Sequence, residues 1–404
     1  MTSWYSLLAS SLTVALTTAP ASTAPKTTSP APPLNCLIVG GGPDKVDNEV
    51  GIESNVRYFR SILPPGSTVH VLYTNGDPGS RIVQYLDPEE RIHYRSTTIR
   101  GIDGPASTEA FTKYLGYLDK GEKPLFLYFT GHGSPDRDYT YENNAYDLWG
   151  VDELNVSDMK RYVARIGEQT PLTLLMVECF SGGFAPVFFQ GSTPGHPHVR
   201  PNSCGYFASI AQREAAGCTS EVNEGDYHDF TTYFCGALCG HDRVGRPVTT
   251  ADYDGDGVVE MDEAYAYALI HDTSIDTPTS TSDAYVREFG GPVDNDALFE
   301  TPYSEVVSYA SPAQRAALDG LSAELGLSGE ERLRRAYKVF NRRASVSEDD
   351  ESEDEEDVTA RWIRFVRLCK TVIMEHRIET TGSPDVRAGL DELLKVEHTN
   401  PLAG

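Results

Sequence analysis

Two stretches decide the fold: Leu125-Phe-Leu-Tyr-Phe-Thr-Gly-His-Gly133 and Leu174-Leu-Met-Val-Glu-Cys-Phe-Ser-Gly-Gly183. Each is a short apolar run that opens into a glycine-bearing loop carrying one reactive side chain. That reads as a buried strand and the loop at its end. Working outward, Asn35–Val39, Thr68–Tyr73, Pro124–Thr130, Leu172–Val177 and Cys204–Ile210 are expected as strands. Amphipathic stretches at Asn48–Leu63, Ser107–Leu118 and Ser157–Ile166 alternate with them as helices. Alternation at these lengths predicts an α/β fold, a mostly parallel sheet with helices on both faces. In such a sheet the chemistry gathers beyond the carboxyl ends of the strands. His132 and Cys179 are expected there, at the ends of neighbouring strands.

The 404 residues carry 39% hydrophobic and 23% charged side chains, an ordinary globular composition with room for a full core. The formal net charge is −26, and the run Glu348–Asp357 supplies nine of those negative charges. A field of that sign repels phosphates, so nucleic acid is excluded as a partner, and basic peptides or cations suit the surface better. No window reaches the length of an apolar membrane span. Trp4–Leu16, followed by Ala19-Pro-Ala21, fits a secretory signal cleaved after Ala21, which would make the protein secreted or extracytoplasmic. An uncleaved tail on a cytoplasmic protein fits the same residues, and a Pro/Thr/Ala-rich linker continues to residue 33. Seven cysteines without a CxxC pair give no support for a zinc ribbon or a thioredoxin-type site. They leave open either three bridges and a free thiol or a set of buried thiols.

A thiol becomes a useful nucleophile when a base or positive charge raises its thiolate fraction, and an imidazole can do this and later protonate a departing amine. Nearby glycines let a peptide backbone approach and leave N–H groups for a developing oxyanion. The two quoted blocks resemble the motifs of the caspase-like cysteine peptidases, in which apolar strands precede His-Gly and then a Cys segment. The separation from His132 to Cys179 is 47 residues, close to the about 50 of caspases. Within that group the chain is nearer to legumain. Gly205-Tyr-Phe-Ala-Ser-Ile-Ala-Gln-Arg-Glu-Ala-Ala-Gly-Cys218 is similar to the legumain segment that edges the substrate cleft, and Gly225-Asp226-Tyr227 resembles its Gly-Asp-Trp.

The resemblance implies that Cys179 attacks the scissile carbonyl, that His132 is general acid and base, and that the N–H groups of Gly133 and Cys179 hold the oxyanion. It implies a substrate-binding edge of Arg213, Glu214 and Ala215, with Asp226 in the specificity pocket and no third member of a triad. Legumain has an acid two positions before the cysteine, whereas here that position is Val177 and the acid is Glu178. Glu178 is therefore expected as a salt-bridged structural acid, and no cleavage-site preference carries over.

Asp252, Asp254, Asp256, Val258, Glu260 and Glu263 occupy positions 1, 3, 5, 7, 9 and 12 of an EF-hand calcium loop, with Gly257 at the turn. The segment before it, Arg246-Pro-Val-Thr-Thr250, is too short for an entering helix. A single structural Ca2+ at 252–263 is expected. Residues 34–300 then form the peptidase domain and 301–404 a helical region, with helices at Ala313–Leu325, Gly329–Asn341, Val358–His376 and Pro384–Leu394 and a solvated acidic insert at 345–357. Legumains end in a helical segment that covers the active site, so the resemblance also implies intramolecular inhibition by these helices. Two other classes fit less of the chain. A nucleotide site fails GxGxxG at Lys45. An inactive caspase-fold protein that binds calcium and partners would keep the loop and lose the chemistry.

Overall fold

The computed structural model describes residues 31–119, 123–191, 196–343 and 353–403. The expected signal, most of the linker and residues 345–352 of the acidic insert lie outside the described residues. The fold is α/β with a mostly parallel central sheet. Its first crossover is β1 (Asn35–Gly41), α1 (Val50–Ser61) and β2 (Thr68–Tyr73). The hairpin β3 (Arg81–Leu86) and β4 (Ile92–Ser96) stands apart from the sheet, and α2 (Thr108–Leu118) leads back to β5 (Leu125–Ser134). Then follow β6 (Ala145–Asp147), β7 (Glu153–Asn155), α3 (Val156–Val163) and β8 (Leu172–Met176). A 3-10 turn at Ser181–Val187 precedes the hairpin β9 (Phe189–Gly191) and β10 (Pro197–Val199), and β11 (Ser203–Phe207) re-enters the sheet.

The sheet order is β12–β11–β8–β5–β1–β2, where β12 (Thr279–Ser280) is the one antiparallel strand of that path. Strand residues alternate between two cores. Ile38, Tyr128, Leu175 and Tyr206 face a cluster with Phe59 of α1, Phe234 of α4 (Phe230–Cys239) and Met261 of α5 (Met261–His271). Val39, Leu127, Leu174 and Phe207 face Phe111 of α2 and Met159 of α3 on the other side. Burial on both faces is why these strands read as continuous apolar runs.

The remaining helices are α6 (Thr281–Phe289), α7 (Asn295–Leu298), α8 (Tyr303–Tyr309), α9 (Pro312–Glu324), α10 (Arg332–Arg343), α11 (Glu353–Thr381) and α12 (Pro384–Glu397). They share apolar clusters with the sheet layer: Leu318, Leu333 and Phe365 pack with Leu269 of α5, and Met374 and Leu390 with Tyr285 of α6 and Phe189. The described part of the acidic insert, from residue 353, is helical. No described helix is long and apolar enough to cross a membrane.

One buried cation ties α11 to the sheet edge. Arg364, fully buried, donates from Nε to the Asp276 carbonyl at 2.6 Å, from Nη2 to the Ser274 carbonyl at 2.9 Å and from Nη1 to the Asp272 carbonyl. Its Nη2 lies 3.6 Å from the buried Asp272 carboxylate. Asp276 in turn accepts the N–H groups of Ala216 at 2.6 Å and Phe230 at 2.8 Å. Arg364→Met should cost about 3–5 kcal/mol, because it strands a buried carboxylate and several carbonyls. Urea unfolding checks this, and a loss under about 1 kcal/mol would show that the guanidinium is not what holds the loop.

Candidate active site

The parallel pairing of β5 with β8 ends at Phe129↔Met176. His132 and Cys179 each lie three residues beyond that pair, at one rim of adjacent strands about 4.8 Å apart. The backbones touch where the loops begin: a Cβ on Gly133 would sit 2.3 Å from the Cys179 carbonyl oxygen and 2.9 Å from Glu178 Cγ. Only glycine fits there. After Cys179 the chain turns sharply through Phe180, which takes a left-handed φ of 59°. Such a conformation persists only where neighbours impose it. The Phe180 N–H donates to the Arg213 carbonyl at 2.8 Å, and buried Asn144 donates to the carbonyls of Phe180 at 3.0 Å and Ala211 at 2.9 Å.

The expected cleft edge arrives at the sulfur. Ala215 N–H donates to Cys179 Sγ at 3.3 Å, and the thiol faces the Ala215 carbonyl at 3.6 Å. The Glu214 carbonyl accepts from Ser209 Oγ at 2.8 Å, and the Arg213 side chain pairs at 3.3 Å with Glu356 of α11. Asp226 is not brought there. It is exposed in a 3-10 turn, bound to Asn223, with no hydrogen bond or ion pair to His132, Cys179 or residues 213–215.

His132 meets different partners from the one expected. Its Nε2 is 3.1 Å from Glu49 Oε2, and no hydrogen bond joins it to Cys179. Glu49 stands at the N-cap position of α1 without a side-chain capping bond, and Gly51 N–H in the first turn donates to the Thr219 carbonyl at 2.8 Å. That contact sets the carboxylate beside Cys218, whose thiol donates to the Gly131 carbonyl at 3.3 Å. Glu49, His132 and Cys218 each bring one polar atom within 4.8 Å of the other two. The sequence reading missed Glu49 and Cys218 as site residues. The signal for Glu49 was its place just past β1, where the chain leaves β1 for β2 on one side and later adds β5 on the other, a crevice-forming switch of order.

Glu178 is corrected. No cation pairs with it among the described residues, and neither carboxylate oxygen has a hydrogen-bond partner. Burial pushes its pKa well above the usual carboxylate range. Burial also pushes the Cys179 thiol up, and the neighbouring Cys218 sulfur adds to this. Burial likewise raises Cys218. All seven cysteines are free thiols.

His132 is shifted the other way from a simply buried imidazole. Burial disfavours its charge, but the Cys218 sulfur and the Glu49 carboxylate outweigh burial and raise its pKa. Its folded value therefore lies above the ordinary histidine value of about 6.5. The interaction adds stability that is complete below that ordinary value and is lost as pH rises through the raised one. In Glu49→Gln the His132 transition, followed by its ring-proton NMR signals, should move to lower pH. An unmoved transition would remove Glu49 as the group holding the charge.

The acidic loop at 252–263 folds as a compact turn, with Gly255 and Gly257 at φ 80° and 96°. Asp252, Asp254 and Glu263 bring oxygens within 4.8 Å of one another. Asp256 Oδ1 accepts from Val258 N–H at 2.8 Å, while Glu260 gathers instead with Asp262 and His398. Glu260 is buried and pushed up to about 7 by burial and by Glu263. Converging carboxylates that repel one another suit a hard cation, and the site fits one with oxygen ligands. The expected exit helix is α5, and no helix leads directly into the loop: α4 ends at Cys239, and His241 pairs with Pro247 before it. If Ca2+ fills the loop, chelation should lower the melting temperature of the chain but not that of Asp254→Asn/Glu263→Gln, as scanning calorimetry reads.

A separate cavity of about 500 Å³, lined by Tyr265, Thr277, Gln314, Arg367 and Glu375 among others, lies under the C-terminal helices, away from His132 and Cys179. Compared with models of known families and with curated proteins, the chain matches none.

Proposed function

We propose that the chain is a cysteine endopeptidase of the caspase-like type, nearest to legumain, with Cys179 as nucleophile and His132 as acid and base. The observation that carries this reading is the shared rim: two reactive side chains at equal distance beyond one parallel strand pair, their loops in backbone contact through Gly133. Ala215, in the segment that resembles the legumain cleft edge, is hydrogen-bonded to the sulfur itself.

In the proposed cycle the Cys179 thiolate adds to the substrate carbonyl, and the N–H groups of Gly133 and Cys179 take up the oxyanion charge. Imidazolium His132 gives its proton to the departing amine as the C–N bond breaks, leaving a thioester and a neutral imidazole. That imidazole then accepts a proton from the water that hydrolyses the thioester. Glu49 favours the imidazolium that the first step needs, and orients the ring. Burial disfavours the Cys179 thiolate in the free protein. The imidazolium, turned from Glu49 toward the sulfur, stabilises the thiolate once the thiol proton has passed to solvent water.

Calcium at residues 252–263 is proposed as a structural ion, and secretion as the setting. Intramolecular restraint is proposed to act through Glu356 of α11, whose pairing with Arg213 places a C-terminal helix at the cleft edge. A second reading, an inactive calcium-binding protein on the same fold, is favoured by the missing His132–Cys179 hydrogen bond and the neutral thiol.

A peptide-library digest of the full chain, with and without calcium, decides between them. Cleavage should fall at least about 10³-fold in Cys179→Ala and in His132→Ala, and rise in Glu356→Ala. Equal cleavage by the parent and Cys179→Ala, or none by the parent and Glu356→Ala in calcium, would sink the peptidase reading.

A further inference from the structure

The group formed by Glu49, His132 and Cys218 contains a carboxylate, an imidazole and a thiol, each with one donor atom within 4.8 Å of the other two. This is a different donor set from the calcium loop, where Asp252, Asp254 and Glu263 offer oxygen alone. Mixed sulfur, nitrogen and oxygen donors select borderline-soft divalent ions over calcium and magnesium. Tetrahedral zinc bonds of about 2.0–2.3 Å place neighbouring ligand atoms about 3.3–3.7 Å apart. His132 Nε2 and Glu49 Oε2 already lie 3.1 Å apart, and the Cys218 sulfur lies within 4.8 Å of a donor atom on each.

The three ligands come from separate chain segments that the fold fastens together. The first turn of α1 is bonded to the Thr219 carbonyl, and Cys218 is bonded to the Gly131 carbonyl next to His132. We propose that Glu49, His132 and Cys218 form a zinc-binding site, with one coordination position left open to water, and that zinc silences the enzyme by withholding His132 from Cys179. The inhibitory half rests on the peptidase reading; the binding half does not. Coordination converts the Cys218 thiol to a thiolate and releases its proton. It also requires the neutral imidazole, so any proton on His132 leaves as well.

Cobalt(II) is the probe, added to the full chain in excess calcium so that the oxygen-only loop is already satisfied. One equivalent should give the sulfur-to-cobalt band in the near ultraviolet and the visible bands of a tetrahedral ion, and zinc should abolish both. Cys179→Ala should keep the sulfur band. Cys218→Ala should lose it, and Glu49→Gln should weaken zinc by more than the about 10–100-fold typical of an outer-shell partner. Near-ultraviolet circular dichroism confirms that each variant is folded, and Cys218→Ser replaces the alanine variant if that one is not.

A sulfur band that survives in Cys218→Ala, or that disappears in Cys179→Ala, overturns the site, as does the lack of any band in the parent. The two readings separate cleanly. A band with no cleavage by the parent leaves the metal site standing and the peptidase fallen. Cleavage that zinc inhibits equally in the parent and Cys218→Ala puts the inhibitory metal elsewhere and overturns the proposal.

Discussion

Everything about the candidate site depends on the close approach of two backbones, Gly133 against the carbonyl of Cys179, at the end of the β5–β8 pair. The parallel register delivers His132 and Cys179 to one rim, but register alone leaves them on separate strands with their loops free to diverge. A Cβ at residue 133 would have to occupy space only 2.3 Å from that carbonyl oxygen, so any side chain there forces the loops apart. The glycine beside the histidine is thus a packing requirement first. Any oxyanion role for its N–H follows from the same proximity.

The second constraint comes from the far end of the chain. Arg364 sits in α11, some 185 residues beyond Cys179, yet it holds the Asp272–Asp276 loop, and Asp276 holds Ala216 next to the residue that touches the sulfur. The helical region that the sequence sets at residues 301–404 is thus coupled to the residues beside Cys179 through hydrogen bonds in the interior. Its apolar faces also cover α5 and α6. Deleting the region would expose those faces and leave Asp272 unpaired, so restraint by these helices is separable from folding only by single substitutions such as Glu356→Ala.

The legible parts of the fold share one physical cause. β1, β5, β8 and β11 are buried on both faces, so their apolar runs stand out whatever the surrounding sequence does. The β3–β4 hairpin carries no such signal, since it lies off the sheet with only Val83 and Gln84 buried and with Gln84 and Arg95 bonded through side chains. α4 escaped for the opposite reason: Phe-Thr-Thr-Tyr-Phe-Cys-Gly-Ala-Leu-Cys is buried along most of its length and shows no polar stripe to betray a helical period. At the site, the meeting of His132 and Cys179 at one rim was readable because local motif and strand end coincide, whereas residues 213–215 came only from the resemblance. Glu49 and Cys218 were not, because their meeting is set by how α1 docks on residues 217–219, a contact across more than 160 positions of sequence.

The proton inventory of the rim follows from that meeting. Burial disfavours the charged forms of Glu178 and Cys179, while the Cys218 sulfur and the Glu49 carboxylate together outweigh burial at His132 and raise its pKa. One imidazole therefore faces competing claims from a carboxylate, from the Cys218 sulfur and from the nucleophile. A peptide entering along residues 213–215 would displace water from the same rim and strengthen every charge interaction that remains. That favours the thiolate–imidazolium pair only if His132 gives up Glu49. A metal ion would favour the opposite arrangement, fixing the ring to Glu49 and Cys218. Under the proposed function the same three side chains would define two exclusive states, and the position of a single ring would separate a site ready to attack an amide from one that holds its nucleophile inert.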